Sequence, residues 1–65
     1  MGMKECRLMA EMTVMDVAYI MGVSDTCVYM WEKGKTTPRP EKLLKLAQLY
    51  SCSVEDLLRK EDMSA

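Results

Sequence analysis

The three cysteines, Cys6, Cys27 and Cys52, carry the most reactive side chains in this sequence, and no histidine accompanies them. They lie far apart along the chain, without a CxxC pair. A structural zinc site needs about four cysteine or histidine ligands, usually in closely spaced pairs, so the sequence predicts neither a metal site nor a cofactor. An odd number of cysteines also disfavours a secreted disulfide framework. We expect reduced thiols in a cytoplasmic protein, with Cys6 and Cys52 packed in the core as small apolar residues.

Combinations of residues that could catalyse a reaction are missing. The sequence has no histidine, no glycine-rich phosphate loop and no convincing pair of nucleophile and base. A chain of 65 residues also leaves little room for a substrate cleft, so we predict that the protein is not an enzyme. No apolar run approaches the roughly 18 residues of a membrane span, and no signal-peptide pattern is present. We therefore expect no membrane partner.

Basic residues are concentrated in one part of the chain, although the net charge is only −1. Positions 33–45 have a local charge of +4, and the rest of the chain carries −5. A few lysine or arginine contacts to phosphates suffice for salt-sensitive binding to nucleic acid. The alternative is a solvated helix face, because two of these lysines have the i, i+3 spacing of neighbours on a helix surface. The basic residues of the segment are Lys33, Lys35, Arg39, Lys42 and Lys45.

Capping signals divide the chain into five predicted helices within a single domain. The composition favours helices, since Met, Leu, Val and Ala supply most of the apolar residues and Phe is absent. Thr13 and Asp16 have the spacing of a capping box, Ser24 and Ser53 are further N-cap candidates, and Pro40 suits a first helical position. We predict helices over residues 4–10, from the Thr13 cap to Gly22, over 25–33, from Pro40 to Tyr50, and after Ser53. Residues 1–3 and 61–65 are expected to fray.

The second and third predicted helices form a helix-turn-helix. Only Val23 separates Gly22, which suits a helix end, from the Ser24 cap. The small side chain of Ala18 lets the next helix cross closely. The sequence therefore predicts an all-α fold, a compact five-helix domain with the helix-turn-helix formed by helices 2 and 3. The positions expected to face inward are Val17, Ala18, Met21, Val28, Trp31, Leu43, Leu44, Leu46, Ala47 and Tyr50.

The motifs around this turn are similar to those of a known family. The chain contains Val17-Ala18, Met21-Gly22-Val23-Ser24, Trp31-Glu32-Lys33-Gly34-Lys35 with Pro38, Leu43-Leu44-Lys45-Leu46-Ala47 and Ser53-Val54-Glu55-Asp56-Leu57-Leu58. From about residue 3 to residue 58, the sequence resembles the Cro/C1-type (Xre) helix-turn-helix family of phage repressors and bacterial transcriptional regulators. The resemblance implies a lambda-repressor-like fold and a DNA-binding transcriptional regulator. Excisionase-like proteins share the start of this pattern, but they usually continue into a β-wing, which the helical residues 43–58 do not resemble.

The resemblance also implies which residues contact DNA. In this family the second helix of the motif, here helix 3, lies in the major groove of operator DNA. The start of helix 2 at Thr13 would meet a phosphate, which its dipole and free N–H groups favour. The residues carried over as facing bases are Asp25, Thr26, Tyr29 and Met30. Those carried over as lying near the DNA backbone are Lys33, Lys35, Thr37 and Arg39.

Two further features are implied by the resemblance rather than by spacing. Arg7 and Glu32 fall on positions that often form a partly buried ion pair between helices, with a structural role. A homodimer would bind double-stranded operator DNA on a roughly two-fold site, with half-sites about one helical turn apart. The contacts between the two copies would come from helix 5 and its neighbourhood.

The sequence departs from the family pattern at several outward positions. Val14 stands where glutamine is frequent, and neither Asp25 nor Met30 is one of the bidentate base-reading types, arginine, glutamine or asparagine. Asp25 either accepts a hydrogen bond from a cytosine amine or complements the positive end of its helix.

An apolar patch is expected on the outside of helix 2, at Val14, Met15, Tyr19 and Ile20. Such a patch marks a surface for a protein partner, unless these side chains fold back onto the core. We therefore predict a sequence-preferring DNA-binding regulator. The alternative is a protein-interaction or dimerisation domain that keeps the helix-turn-helix fold with weak or no DNA affinity.

Overall fold

The computed structural model describes residues 2–58, which form five helices and, within this range, no strand. The helices are α1 (Met3–Met9), α2 (Val14–Met21), α3 (Asp25–Lys33), α4 (Pro40–Tyr50) and α5 (Val54–Leu58). The all-α, five-helix prediction is therefore confirmed. The first helix begins and ends one residue earlier than predicted, because the chain turns into the left-handed region at Glu11 (φ 59°). Of the ends expected to fray, residue 1 and residues 61–65 lie outside the described range, and Met3 is the first residue of α1.

Side-chain caps fix where three of the helices begin. The Asp16 N–H donates to Thr13 Oγ1 at 3.0 Å, and the Thr13 N–H donates to Asp16 Oδ2 at 3.1 Å, which completes the predicted capping box. Ser24 Oγ accepts from the backbone N–H of Cys27 at 3.1 Å. Ser53 Oγ accepts from the backbone N–H of Asp56 at the same distance. These local bonds set the lengths of α2 and α3 and hence the turn between them.

The turn between α2 and α3 depends on Gly22, which adopts a left-handed conformation with φ 71°. The Val23 N–H donates to the carbonyl of Ala18 at 3.0 Å, so the end of α2 is closed by the residue after the glycine. A Cβ atom placed on Gly22 would meet no atom within 4 Å. The requirement for glycine is therefore conformational rather than steric.

Replacing Gly22 with alanine is expected to lower the free energy of unfolding by about 1 kcal/mol, the cost of holding a Cβ-bearing residue at positive φ. Asparagine tolerates this region better, so Gly22→Asn is expected to cost less than Gly22→Ala. Urea denaturation of both variants measures the difference. A loss above about 3 kcal/mol for alanine would contradict the open space around this turn.

The core is one cluster to which all five helices contribute. α2 packs mainly against α3, α1 packs against α3, α4 and α5, and α4 contacts both α2 and α5. Positions i, i+3, i+4 and i+7 of α2 and α4 face this cluster, as expected for amphipathic helices. Its buried apolar members are Cys6, Val14, Val17, Ala18, Met21, Val28, Trp31, Leu43, Leu46, Ala47, Tyr50 and Leu57.

Two predictions of side-chain direction were wrong. Val14, expected on the outer face of α2, is only 7% exposed, because it starts the i, i+3, i+4, i+7 series that continues through Val17, Ala18 and Met21. Leu44, expected to face inward, is 59% exposed. It lies about 100° around the helix from Leu43, which begins the buried series of α4.

The thiols are free and belong to the packing of the core. Cys6 is buried, and Cys27 and Cys52 are partly buried against the core cluster. Burial, together with a hydrogen bond to Cys6, raises the pKa of the Cys52 thiol to about 11. A thiol with a raised pKa is a poor nucleophile at neutral pH, which agrees with a packing role for this pair.

Candidate nucleic-acid interface

α3 presents one face to the core and the opposite face to solvent. Val28 and Trp31 are buried beneath it. On the other side, Asp25 and Thr26 are exposed and Tyr29 is half-exposed. Met30, also predicted to face bases, is partly buried. The outer surface of α3 therefore begins at the turn and continues for two helical turns.

Asp25 is engaged by the start of its own helix. Its Oδ1 accepts the backbone N–H of Thr26 at 2.8 Å, a contact typical of acidic residues in the first turn. Of the two roles considered for Asp25, complementing the helix N-terminus therefore has direct geometric support. This bond uses one acceptor position of Oδ1, and Oδ2 can still accept a hydrogen bond from a cytosine amine.

A shallow groove joins the outer face of α3 to the start of α2. Its volume is about 610 Å³. It brings together three of the residues predicted to contact DNA, Thr13, Tyr29 and Lys33, although they are distant in sequence. Its other lining residues are Lys4, Arg7, Val14, Met15 and Glu32.

The start of α2 provides backbone donors at this groove. The capping box satisfies the N–H groups of Thr13 and Asp16. The N–H groups of Val14 and Met15 have no acceptor among residues 2–58. Unpaired amides in the first turn of a helix, at the positive end of its dipole, form a binding place for an anion such as phosphate.

An ion pair holds the floor of the groove. Arg7 Nε donates to Glu32 Oε2 at 2.7 Å, and Arg7 Nη2 lies 3.4 Å from Glu32 Oε1. The side chains are only 9% and 7% exposed, and the hydrogen bond to Glu32 raises the pKa of Arg7. Arg7 Nη1 also donates to the carbonyl of Met12 at 2.9 Å. The pair therefore connects α1 to α3 and to the segment that leads into α2.

This pairing decides the charge of the groove. Arg7 and Glu32 neutralise each other, which leaves Lys4 and Lys33 as the uncompensated charges among the lining residues. Lys4 was not among the residues predicted to contact DNA. The signal that could have found it is its position one helical turn before Arg7, on the same face of α1.

The remaining predicted residues lie in the connection between α3 and α4. Lys35, Thr37 and Arg39 are exposed, and the buried Pro38 anchors the segment that carries them. Thr37 lines a second depression, whose other lining residues include Trp31, Lys33 and Leu57. Lys35 and Arg39 line neither depression. The structure thus places the predicted residues in three groups. Thr13, Tyr29 and Lys33 line the groove, Lys35, Thr37 and Arg39 follow Gly34, and Asp25, Thr26 and Met30 lie on α3 outside both depressions.

Residues 2–58 contain no cluster of three or more His, Cys, Asp or Glu side chains that could hold a metal ion. No helix in this range has the length and apolar character to cross a membrane.

A family model described as helix-turn-helix matches residues 3–57 of the chain. This match covers the five helices described above almost from end to end. The chain belongs to the Cro/C1-type helix-turn-helix family. Proteins of the Cro/C1-type family are DNA-binding transcription regulators, and the family is not one of enzymes. Comparisons with curated proteins and with solved structures gave no significant match.

Proposed function

We propose that this Cro/C1-type domain is a sequence-preferring regulator that places α3 in the major groove of operator DNA. The observation that carries the proposal is the groove in which the outer face of α3 meets the unpaired amides of α2. A helix whose outer face is exposed over its first two turns can enter the major groove, which is wide enough to admit it. The residues placed to face bases are Asp25, Thr26, Tyr29 and Met30.

Phosphate binding would occur on both sides of α3. On one side, the N–H groups of Val14 and Met15, with Lys33, offer donors and positive charge to one strand. The Thr13 backbone N–H is used in the cap, where the hydroxyl oxygen also accepts a hydrogen bond. Thr13 therefore positions the amides that follow it, and its hydroxyl proton is left as a donor to phosphate. On the other side, Lys35, Thr37 and Arg39 are exposed and would approach the second strand. Such contacts orient a protein on DNA without reading its sequence.

The salt dependence of binding tests this arrangement. Affinity of the full chain for mixed duplex DNA, measured by fluorescence anisotropy, is expected to fall steeply with salt. Lys35→Ala and Arg39→Ala should each weaken binding and flatten the slope of log affinity against log salt by about 1. Lys45→Ala, on the exposed side of α4, is the matched control and should leave the slope unchanged. Unchanged slopes in the first two variants would remove these residues from the interface.

We also propose that the domain acts as a homodimer on a two-fold site. Leu58, the last described residue of α5, has a half-exposed side chain, which is therefore available to a second copy. Sedimentation over a rising concentration series is expected to show a monomer–dimer equilibrium, which Leu58→Glu shifts towards monomer because it places charge in an apolar contact. The matched variant Leu44→Glu, at the exposed leucine of α4, should behave like the unchanged chain. A monomer at every concentration, with operator DNA present, would contradict the dimer.

A second candidate function rests on the outside of α2. Met15 is 73% and Tyr19 is 88% exposed, and Ile20 is also exposed, so these residues could form a surface for a protein partner. Val14 cannot contribute to such a surface, since it is buried. Absence of DNA binding even at low salt would favour this protein-interaction domain over the regulator.

A further inference from the structure

The outer face of α3 offers few groups that can hydrogen-bond to bases. From Asp25 to Lys33 the helix has no arginine, asparagine or glutamine, which make bidentate contacts to guanine or adenine. Lysine can also read guanine, but the one lysine of α3, Lys33, lies in its last turn, where the proposed function assigns it to the phosphates. Asp25 already accepts a hydrogen bond from its own helix, and Glu32 is paired with Arg7. Reading by bidentate hydrogen bonds therefore has little support on this surface.

The outer face of α3 and the neighbouring start of α2 present apolar side-chain atoms instead of hydrogen-bonding groups. Tyr29 is half-exposed and lines the groove together with Met15, which is largely exposed. Thr26, one turn before Met30, is exposed and carries a methyl group. The apolar strip formed by Met15, Thr26, Tyr29 and Met30 therefore runs from the start of α2 along the exposed side of α3.

The lysines and unpaired backbone N–H groups beside this strip restrict the kind of partner that can cover it. Its groove is also lined by Lys4 and Lys33, and the unpaired N–H groups of Val14 and Met15 lie at its edge. An apolar helix from another protein would bury these amides without acceptors, which is costly. A second copy in an isologous contact would bring the same basic surface against itself. A partner with apolar groups bordered by negative charge satisfies both requirements.

The major groove of DNA has this composition where thymines occur. The thymine 5-methyl group is the apolar group that base edges present there, and phosphates border it on both sides. We propose that this domain reads thymine 5-methyl groups through Thr26, Tyr29 and Met30, with Met15 extending the contact towards the DNA backbone. The inference rests on the proposed function and specifies the operators that it would prefer, which are rich in thymine where α3 enters the groove.

Replacement of thymine by deoxyuridine tests this reading, because it removes only the 5-methyl group. Duplexes would first be selected by the full chain from a randomised pool, and the best of them synthesised with either base. Binding to the deoxyuridine duplex is expected to be at least tenfold weaker at the same salt concentration. Equal binding within twofold would overturn the thymine reading and leave salt-dependent DNA binding intact. Failure of the selection to enrich any duplex, even at low salt, would overturn the proposed function as well.

Variants of the protein show which side chains contact the thymine 5-methyl group. Thr26→Ser removes one methyl group and keeps the hydroxyl, and Tyr29→Ala removes the ring, both at exposed positions. Each should reduce the penalty for deoxyuridine at least threefold. Tyr19→Ala, at the exposed tyrosine outside the groove, is the control and should keep the full penalty. An undiminished penalty in both Thr26→Ser and Tyr29→Ala would overturn the assignment of the contact to α3.

A 5-methylcytosine presents the same 5-methyl group as thymine. A second modified duplex therefore distinguishes recognition of thymine from recognition of 5-methylcytosine. Replacing cytosine by 5-methylcytosine in the selected duplex is expected to leave affinity within twofold. Stronger binding to that duplex, together with no loss on deoxyuridine, would overturn thymine as the base that is read.

Discussion

Replacing Glu32 with leucine is expected to lower the free energy of unfolding by about 3–5 kcal/mol, because the change leaves the Arg7 guanidinium buried without its counter-charge. The two side chains are 9% and 7% exposed, and Arg7 Nε lies 2.7 Å from Glu32 Oε2, so loss of the carboxylate leaves a largely desolvated guanidinium without its counter-charge. A domain of this size rarely has more than about 3–5 kcal/mol of stability in total. The Glu32→Leu chain is therefore expected to be largely unfolded at 25 °C, as observed by circular dichroism.

A double variant separates the missing partner from the loss of the ion pair itself. Arg7→Leu combined with Glu32→Leu removes both charges, and replacing a buried pair by apolar residues is often close to neutral. The double variant should regain most of the stability lost by Glu32→Leu, less about 1 kcal/mol for the Arg7 hydrogen bond to the Met12 carbonyl. Urea unfolding of four chains, the unchanged one, Arg7→Leu, Glu32→Leu and the double variant, gives the coupling energy. A stabilising osmolyte in the buffer keeps Glu32→Leu folded at the start of the titration. A loss below about 1 kcal/mol for Glu32→Leu would show that the pair is effectively exposed in solution.

Replacing Lys33 with glutamate is expected to weaken DNA binding about 100-fold at moderate salt, since it places a negative charge beside the phosphate path. Lys33 lines the groove at the end of α3, and the neighbouring Glu32 is neutralised only by Arg7. After the change, Lys4 is the remaining uncompensated positive charge among the lining residues, and the new carboxylate at position 33 offsets it. The variant should stay folded, because an exposed charge in the last turn of a helix contributes only about 0.3–1 kcal/mol.

Lys45→Glu is the matched control for this experiment. It makes the same change in net charge at an exposed position of α4, so it reports the effect of overall charge on association with DNA. We expect a loss no greater than about fivefold for this control. If Lys33→Glu and Lys45→Glu weakened binding equally, the effect would be one of net charge. The assignment of the groove as a DNA-binding surface would then be wrong.

Local signals allowed most of the fold to be predicted from the sequence. The Thr13–Asp16 box, the Ser24 cap and the two glycines act within a few residues of themselves, and α2 and α3 begin and end where these signals indicate. The direction of Val14 was predicted wrongly because a family pattern was preferred to the i, i+3, i+4 spacing that the chain itself shows. Leu44 was assigned inward because a broad apolar stripe does not say which of two adjacent leucines lies at its centre.

The arrangement of the candidate site could be found only from the folded structure. Nothing in the spacing brings Lys4 and Met15 next to Tyr29, because that proximity depends on how α1 and α2 cross α3. The two possible roles of Asp25 could not be distinguished from the sequence either, since they differ only in the position of one carboxylate oxygen relative to the Thr26 N–H. Family membership supports DNA binding, while the composition of the α3 surface points to the bases that would be read.

Titration of the ¹⁵N-labelled chain with operator DNA, followed by backbone amide chemical shifts, tests the placement of α3 most directly. The largest changes are expected at Asp25, Thr26 and Tyr29 and at the N–H groups of Val14 and Met15, which would gain phosphate acceptors. Smaller changes are expected at Lys35 and Arg39, and none along the exposed side of α4. Changes confined to Tyr19 and Ile20, or no changes at low salt, would contradict α3 as the DNA-binding surface.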